Sequence, residues 1–586
     1  MRSTQLLPNP HHATIRFLNP PQITIAGRLS DRYSGNLSYL KGIYETRKEW
    51  MLEPFENYGQ EWVLEPLRNK KGEIDWAGEY AGKWLDAASL AAMGSRDEQL
   101  DRYVAVFASA LIATQQSDGY LGIEGLNRRG KGWDIWNLWN AMVGLLTHYE
   151  VFNDPISLEA SVNCSKWLID QFGVISDSNN SFFSNAHDDV CNAPIIEEVV
   201  RLYKITQDQS LLNFASSVVD HYPYMDILRN QGKAPLLHVY HLTEFLAGVV
   251  DLVVTDNRPE ELQWIESAWE DMVETHLYPT GSLGYRELLR ETAPNDIPVE
   301  NGEPDKHHQE TCGTVGWLLL NSRLYQATGR VRYIQCLEQT IYNALLAAQS
   351  TDGMSWMYYS PLRYERKWFS GPTSCCYWSG PRGVARLPEW VFAYDTEGIF
   401  VNLYESSTGT FQINGYDVSI QQSSFYPDSG QVTLQIQPKE SMSFPLRIRI
   451  PYLADETTIS LNGLHIRPET GMEGYFTIHR MWSKGDRIEM KFDIPVVVQE
   501  FLNEKYGVVV RGPEVLSIDQ RDNPSIDLDL LVLQKGMVLR SDNSIDGRRR
   551  YAGEVVYNEL IRTVLFTPYA DTGGDGARFR TAFPIC

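Results

Sequence analysis

The chain has 586 residues, 43% of them hydrophobic and 22% charged, with a formal net charge of −23 at pH 7. That length exceeds a single hydrophobic core and predicts roughly two to four domains. The charge excludes a nucleic-acid or anionic-membrane surface, because no Lys/Arg run supplies the basic groove such a partner needs.

In chain order, Met1 to Pro8 contains no apolar core of signal-peptide length and no run approaches a membrane span, so a cytoplasmic location is expected. Seven cysteines, an odd number, make no disulfide framework and favour a reducing compartment. Residues 1–26 read as an irregular extension broken by Pro20 and Pro21, with Ile23-Thr24-Ile25 as a strand. Residues 27–390 form the helical part. Leu100, Tyr103, Phe107 and Leu111 share one face, as do Ile334, Leu337, Ile341 and Leu345, and turn signals such as Ser117-Asp118-Gly119 close many segments. About eleven such segments in antiparallel pairs, without a strong repeat, predict a closed barrel of paired helices. After Trp390 the period changes to two: Leu446, Ile448 and Ile450 alternate with Arg447 and Arg449, and Asn414-Gly415 and Asn462-Gly463 mark hairpins. Residues 391–500 therefore read as a β-sandwich and 501–586 as a second β-rich domain.

Chemistry concentrates in a split cluster, Glu310-Thr311-Cys312 and the adjacent pair Cys375-Cys376. Three sulfurs and a carboxylate are a full tetrahedral set for zinc. Vicinal cysteines seldom bridge one another because the ring is strained, so the pair reads as metal ligands or as buried thiols. The 12% aromatic content suits sugar stacking as well as core packing.

The chain resembles the zinc-dependent β-L-arabinofuranosidases of glycoside hydrolase family 127 along almost its whole length. The resemblance is carried by Lys83-Trp84-Leu85-Asp86-Ala87-Ala88, by Gln115 to Leu121, by Tyr342-Asn343, Asp352-Gly353 and Tyr358-Tyr359-Ser360-Pro361-Leu362, and by Arg511-Gly512-Pro513 and Thr567-Pro568-Tyr569. The Glu-x-Cys and Cys-Cys pieces are its most specific part. It implies an (α/α)6 barrel followed by β-sandwich domains, and a retaining exo-glycoside hydrolase releasing a terminal pentofuranose, β-L-arabinofuranose or a related sugar. It implies Zn2+ held by Glu310, Cys312, Cys375 and Cys376, with Cys375 as nucleophile and Glu287 as general acid/base. His238, Glu338 and Tyr358 match residues near the sugar.

Departures from the family bear on the substrate. Asn192-Ala193 stands where the family has His-Pro, and Asn140 where a further histidine is expected. Both asparagines, with Trp136 among the tryptophans at 133, 136 and 139, are candidates for sugar contact. A different pentofuranose or an acidic deoxy sugar stays open. Each residue also has a plainer reading: Glu287 as a partner of Arg286 or Arg290, with Glu291 and Glu300 as lesser acid candidates, Glu338 and Tyr358 as core groups, His238 and His241 as core histidines. Two other functions remain in view, a helical-barrel polysaccharide lyase or unsaturated-uronide hydrolase, and a non-catalytic carbohydrate binder with a structural zinc. The expected partner is a small oligosaccharide or glycoside, with no nucleic acid and no membrane, the protein acting alone or as a homodimer.

Overall fold

The computed structural model describes residues 15–60, 75–177, 180–290, 299–300, 303–304, 307–369, 374–454, 456–468, 474–501, 506–541 and 548–586. Fifteen α-helices are named here in chain order: α1 Arg28–Glu56, α2 Glu79–Ser95, α3 Glu98–Ile112, α4 Asp134–Phe152, α5 Pro155–Phe172, α6 Ser181–Ser184, α7 Ile196–Thr206, α8 Gln209–Asp220, α9 Met225–Gln231, α10 Val239–Thr255, α11 Leu262–Thr275, α12 Thr311–Thr328, α13 Val331–Thr340, α14 Leu346–Ala348 and α15 Cys376–Ala385. Six of them close a ring: α2 packs on α4, then α7, α10, α12 and α15, which returns to α2. The others form the outer layer, α3 against α2, α5 against α4, α8 against α7, α11 against α10, α13 against α12, and α1 over the α2–α15 seam. This is the (α/α)6 barrel.

Sequence dictates which helices go inside. Along α2 nearly every residue from Glu79 to Ala92 is buried, charged ones included, as expected of a helix apolar on all sides. The amphipathic α3 and α8 bury one stripe and lie outside. Glycine permits the closest inner contact: a Cβ on Gly82 would lie 1.7 Å from the Asn140 carbonyl oxygen. Neighbouring inner helices run the same way, because contacts advance together along both. Gly82 meets Asn140 and Asp86 meets Thr147; Val239 meets Gly313 and Thr243 meets Gly316; Cys312 meets Cys376 and Val315 meets Gly383. The seam between α2 and α15 is closed by buried Asp86, 2.8 Å from both Arg382 and Arg386. Burial pushes its carboxyl up, but the Arg386 and Arg382 charges outweigh that and hold it well below the usual range.

The strands form three larger sheets. Two make the sandwich after the barrel, one of five strands and one of seven. The segment before the barrel completes both: Arg16–Phe17 pairs with Phe392–Tyr394, and Ile23–Ile25 pairs with Ser407–Ile413. The third, ten-stranded sheet opens with Val496–Phe501 and takes in Arg363–Tyr364 from the helical part, paired with Phe579–Arg580. Among the described residues no helix is long and apolar enough to cross a membrane.

Glu338 needs correction here. The resemblance set it near the metal and sugar, but its carboxylate is bonded to Arg449 of the sandwich strand Met442–Arg449, both groups buried. The alternation that turned Arg449 outward fails at the strand's last residue, which faces the barrel. Removing one partner of a buried pair strands the other's charge. Glu338→Ala is therefore expected to cost about 3–5 kcal/mol, read as a lower thermal midpoint by circular dichroism. Glu338→Leu with Arg449→Met should recover most of it.

Candidate active site

Parallel inner helices bring their N-termini to one end of the barrel, and the sequence-predicted cluster forms there. Glu310 is the N-cap of α12 and Cys312 lies in its first turn; Cys375 is the N-cap of α15 and Cys376 its first residue. Neither cap side chain bonds the helix's free N–H groups, as Ser or Asp would. Instead the Glu310 Oε1 atom lies 3.6 Å from the Cys375 sulfur and 3.5 Å from that of Cys376. Cys312 is 3.5 Å from Cys376, and Cys375 is 3.8 Å from Cys376.

The donor set fits a tetrahedral cation. Zinc–sulfur bonds of about 2.3 Å place tetrahedral sulfurs about 3.8 Å apart, and the four ligand atoms here lie within 4.8 Å of one another. Glu310 Oε2 is buried without a hydrogen-bond partner among the described residues. Electrostatics distinguish the thiols. Hydrogen bonds from Cys312 and Cys376, with the Lys83 charge and Tyr358, hold the Cys375 thiol well below its ordinary value, although burial opposes this. Burial raises Cys312 and Cys376. Burial and the neighbouring Cys375 charge raise Glu310.

Glu287 sits at the tip of a tight turn, not on a helix. Tyr285 and Leu288 exchange both backbone hydrogen bonds, at 3.0 and 3.2 Å, and the two residues between them, Arg286 and Glu287, have positive φ of 47° and 71°. Such turns favour Asn-Gly; two residues with full side chains store about 1–3 kcal/mol each. The Val239 N–H donates to the Glu287 carbonyl at 2.8 Å and ties the turn to the start of α10. The Glu287 carboxylate accepts from Tyr358 at 2.5 Å and Tyr359 at 2.9 Å. Tyr358 also lies 3.8 Å from the Cys375 sulfur, bridging acid and thiol. His238 caps α10, its Nδ1 accepting from the Tyr240 N–H at 3.2 Å. The neutral ring's proton is then on Nε2, which points at Glu287 (3.7 Å) and Glu310 (3.9 Å). Burial lowers its pKa, against the neighbouring Glu287 and Cys375 charges.

The remaining candidates are held differently. Asn192 donates to the Phe182 carbonyl at 2.7 Å and Asn140 to that of Trp136 at 3.0 Å. Trp136 is buried, its indole donating to Glu79 at 2.7 Å. Glu291 lies outside the described residues, and only the backbone of Glu300 is described. Sequence reasoning passed over Glu79, quoted Lys83 only within a motif and read His241 as a core histidine. Glu79 and Lys83 form an ion pair of 2.9 Å, 1% and 0% exposed, with the Lys83 ammonium 4.8 Å from the Tyr240 ring. His241 stacks on His238 at 4.3 Å. The signal for the first two was a Glu and a Lys one turn apart in an otherwise apolar run.

Residues 28–389 match the family model of the GH127 β-L-arabinofuranosidase catalytic domain, and residues 398–494 that of the GH127 middle domain. The non-reducing end β-L-arabinofuranosidase of Bifidobacterium longum subsp. longum is 21% identical over 511 residues, 75% of this chain and 75% of that protein. Two solved structures share the fold. A GH127 β-arabinofuranosidase superposes with a TM-score of 0.82 at 20% identity, covering 98% of this chain and 99% of that one. A GH127 β-L-arabinofuranosidase from Geobacillus stearothermophilus T6 gives 0.79 at 18% identity, covering 96% and 100%. With the catalytic-domain match spanning well over half of its residues, the chain belongs to the GH127 β-L-arabinofuranosidase family of glycoside hydrolases.

Proposed function

We propose that the protein is a retaining exo-glycosidase releasing a terminal pentofuranose, β-L-arabinofuranose or a related sugar, with Cys375 as nucleophile and Glu287 as acid/base. The observation that carries this is the Tyr358 hydroxyl, set between the Glu287 carboxylate at 2.5 Å and the Cys375 sulfur at 3.8 Å. One phenol thus reaches both groups, which supports their acting on one anomeric carbon as a retaining mechanism requires. The family match and the relative's activity on β-L-arabinofuranosides support the sugar class.

In the first step the Cys375 thiolate attacks the anomeric carbon while Glu287 gives its proton to the departing oxygen. A thioglycosyl bond forms and the aglycone leaves as an alcohol. Glu287, now ionised, takes a proton from water; the water oxygen attacks the same carbon and the sulfur leaves as thiolate, so configuration is retained. Zinc held by Glu310, Cys312, Cys375 and Cys376 would supply the positive charge that keeps thiols deprotonated at neutral pH. Tyr358 donates to Glu287 in the resting site and moves with it as the carboxylate changes charge. The His238 Nε2–H steadies both carboxylates without adding a charge of its own.

Cys375 and Cys376 should not be interchangeable. Cys375→Ala is expected to lose turnover by at least ~10^3-fold and to escape labelling by a cyclophellitol-type furanose electrophile. Cys376→Ala should keep the label, while cobalt titration followed by thiolate-to-metal absorption shows weakened uptake. Full activity in Cys375→Ala would sink the mechanism. Glu287→Gln should slow aryl glycosides with poor leaving groups by ~10^2–10^4-fold, spare activated ones, and regain rate with added azide. Glu338→Ala should leave kcat and KM unchanged per folded molecule.

A further inference from the structure

Beside the thiols in the ring stands a wall built by α2, α4 and α10. Glu79 opens α2; its Oε2 takes the Lys83 ammonium at 2.9 Å and the Trp136 indole N–H at 2.7 Å. Its Oε1 is buried without a partner among the described residues. Trp136 in turn packs on His241, ring centroids 4.7 Å apart, and His241 stacks on His238 at 4.3 Å and 14°. His241 is 2% exposed, and its Nδ1 likewise lacks a partner among the described residues. Tyr80, next to Glu79, stacks on Trp378 of α15 at 5.2 Å, which sets the start of α2 beside the start of α15. His238, on which His241 stacks, lies 3.9 Å from the Glu310 carboxylate, so the wall adjoins the thiol cluster from this side as well.

An unpaired buried carboxylate oxygen costs free energy unless a donor arrives. A sugar hydroxyl is such a donor, and a neutral imidazole nitrogen pairs with a second one. The two asparagines standing where the family has histidines both donate their amide N–H to backbone carbonyls, although Asn140 Oδ1 is also without a partner among the described residues. We infer that Glu79 and His241 bind adjacent ring hydroxyls of the sugar whose anomeric carbon faces Cys375, and that this pair sets which sugar the chain accepts. Lys83 and Trp136 are positioning residues: they occupy Oε2 and leave Oε1 to the substrate. The inference rests on the glycosidase reading above.

The test compares 4-nitrophenyl β-L-arabinofuranoside with its 2-deoxy and 3-deoxy analogues on the zinc-loaded full chain. The wild type should prefer the parent over at least one analogue by about 100-fold or more in kcat/KM, because a site built for a hydroxyl rejects its absence. Glu79→Gln should shrink that preference below about 10-fold while slowing the parent, and His241→Phe should do so for the neighbouring hydroxyl. Because Glu79→Gln leaves Lys83 buried and unpaired, Glu79→Gln/Lys83→Met is measured beside it. If the folded variants slow the parent and both analogues by the same factor, the pair is only structural and the inference falls. If the wild type turns over none of these glycosides and Cys375 takes no furanose label, the underlying reading fails instead. Labelling of Cys375 with unchanged discrimination in the variants overturns the inference alone.

Discussion

The site depends on one geometric constraint, the parallel run of the inner helices. A closed ring of parallel helices puts every positive dipole end at one mouth, and polar groups, carboxylates and thiols among them, gather there. Glu79 opens α2, His238 caps α10, Glu310 caps α12 and Cys375 caps α15. Glu and Cys are poor N-caps judged by capping alone, whereas Glu79 suits the first turn of α2 by its charge. Their placement makes sense when the free N–H groups and aligned dipoles serve a shared anionic cavity. Lys83 adds a buried cation inside the ring, paired to Glu79. Carboxylates and thiols still outnumber it, which suits the four-residue cluster to a divalent cation.

The β domains take part by bracing the loop that carries Tyr358. The Tyr569 hydroxyl donates to the carbonyls of Ser360 at 3.0 Å and Pro361 at 2.9 Å, and Arg366 reaches the Tyr569 carbonyl at 2.7 Å. Asn343, in a π-helical turn over Ile341–Leu345, donates to the Pro513 carbonyl and accepts from the Val515 N–H, both at 2.8 Å. Buried Glu514 meets Arg28 at 2.5 Å, fixing the first helix to the same sheet. The tyrosine that bridges the Glu287 carboxylate and the Cys375 sulfur is therefore braced from a domain holding neither of them. Damage to that sheet would reach turnover through Tyr358 before it reached the metal ligands.

What was legible in the sequence follows the range of each interaction. Helical and strand periods are local, so the helical part, the strands after it and the faces of α3 and α13 could be read directly. The cluster was legible because its residue types are few and chemically specific. Motifs quoted separately, Tyr342-Asn343 with Arg511-Gly512-Pro513 and Tyr358 to Leu362 with Thr567-Pro568-Tyr569, prove to be two halves of the same contacts. The α15 helix was not legible: Gly380, Pro381 and Gly383 give it poor propensity, and tertiary packing alone makes it a helix. The role of Glu338 was misplaced because its partner is 111 residues away, on a strand whose alternation breaks at that position.

The departures from local rules cluster where the chemistry is. Two residues with full side chains take the Asn-Gly positions of a turn at Glu287, a π-turn interrupts the run from α13 to α14, and helix caps carry Glu and Cys. Each costs stability, and each is over-determined by long-range contacts: the Glu287 carbonyl by the Val239 N–H, Asn343 by two strand groups, the cap residues by one another. A folded chain that spends strain in this pattern is holding groups apart that would rather relax. At Glu287 the consequence is specific. The turn leaves the carboxylate no helix to rotate on, so its direction is set by Tyr358 and Tyr359, and through Tyr358 it is set relative to the Cys375 sulfur. Carboxylate and thiol are tied by one shared hydroxyl, on a loop that the C-terminal sheet braces through Tyr569.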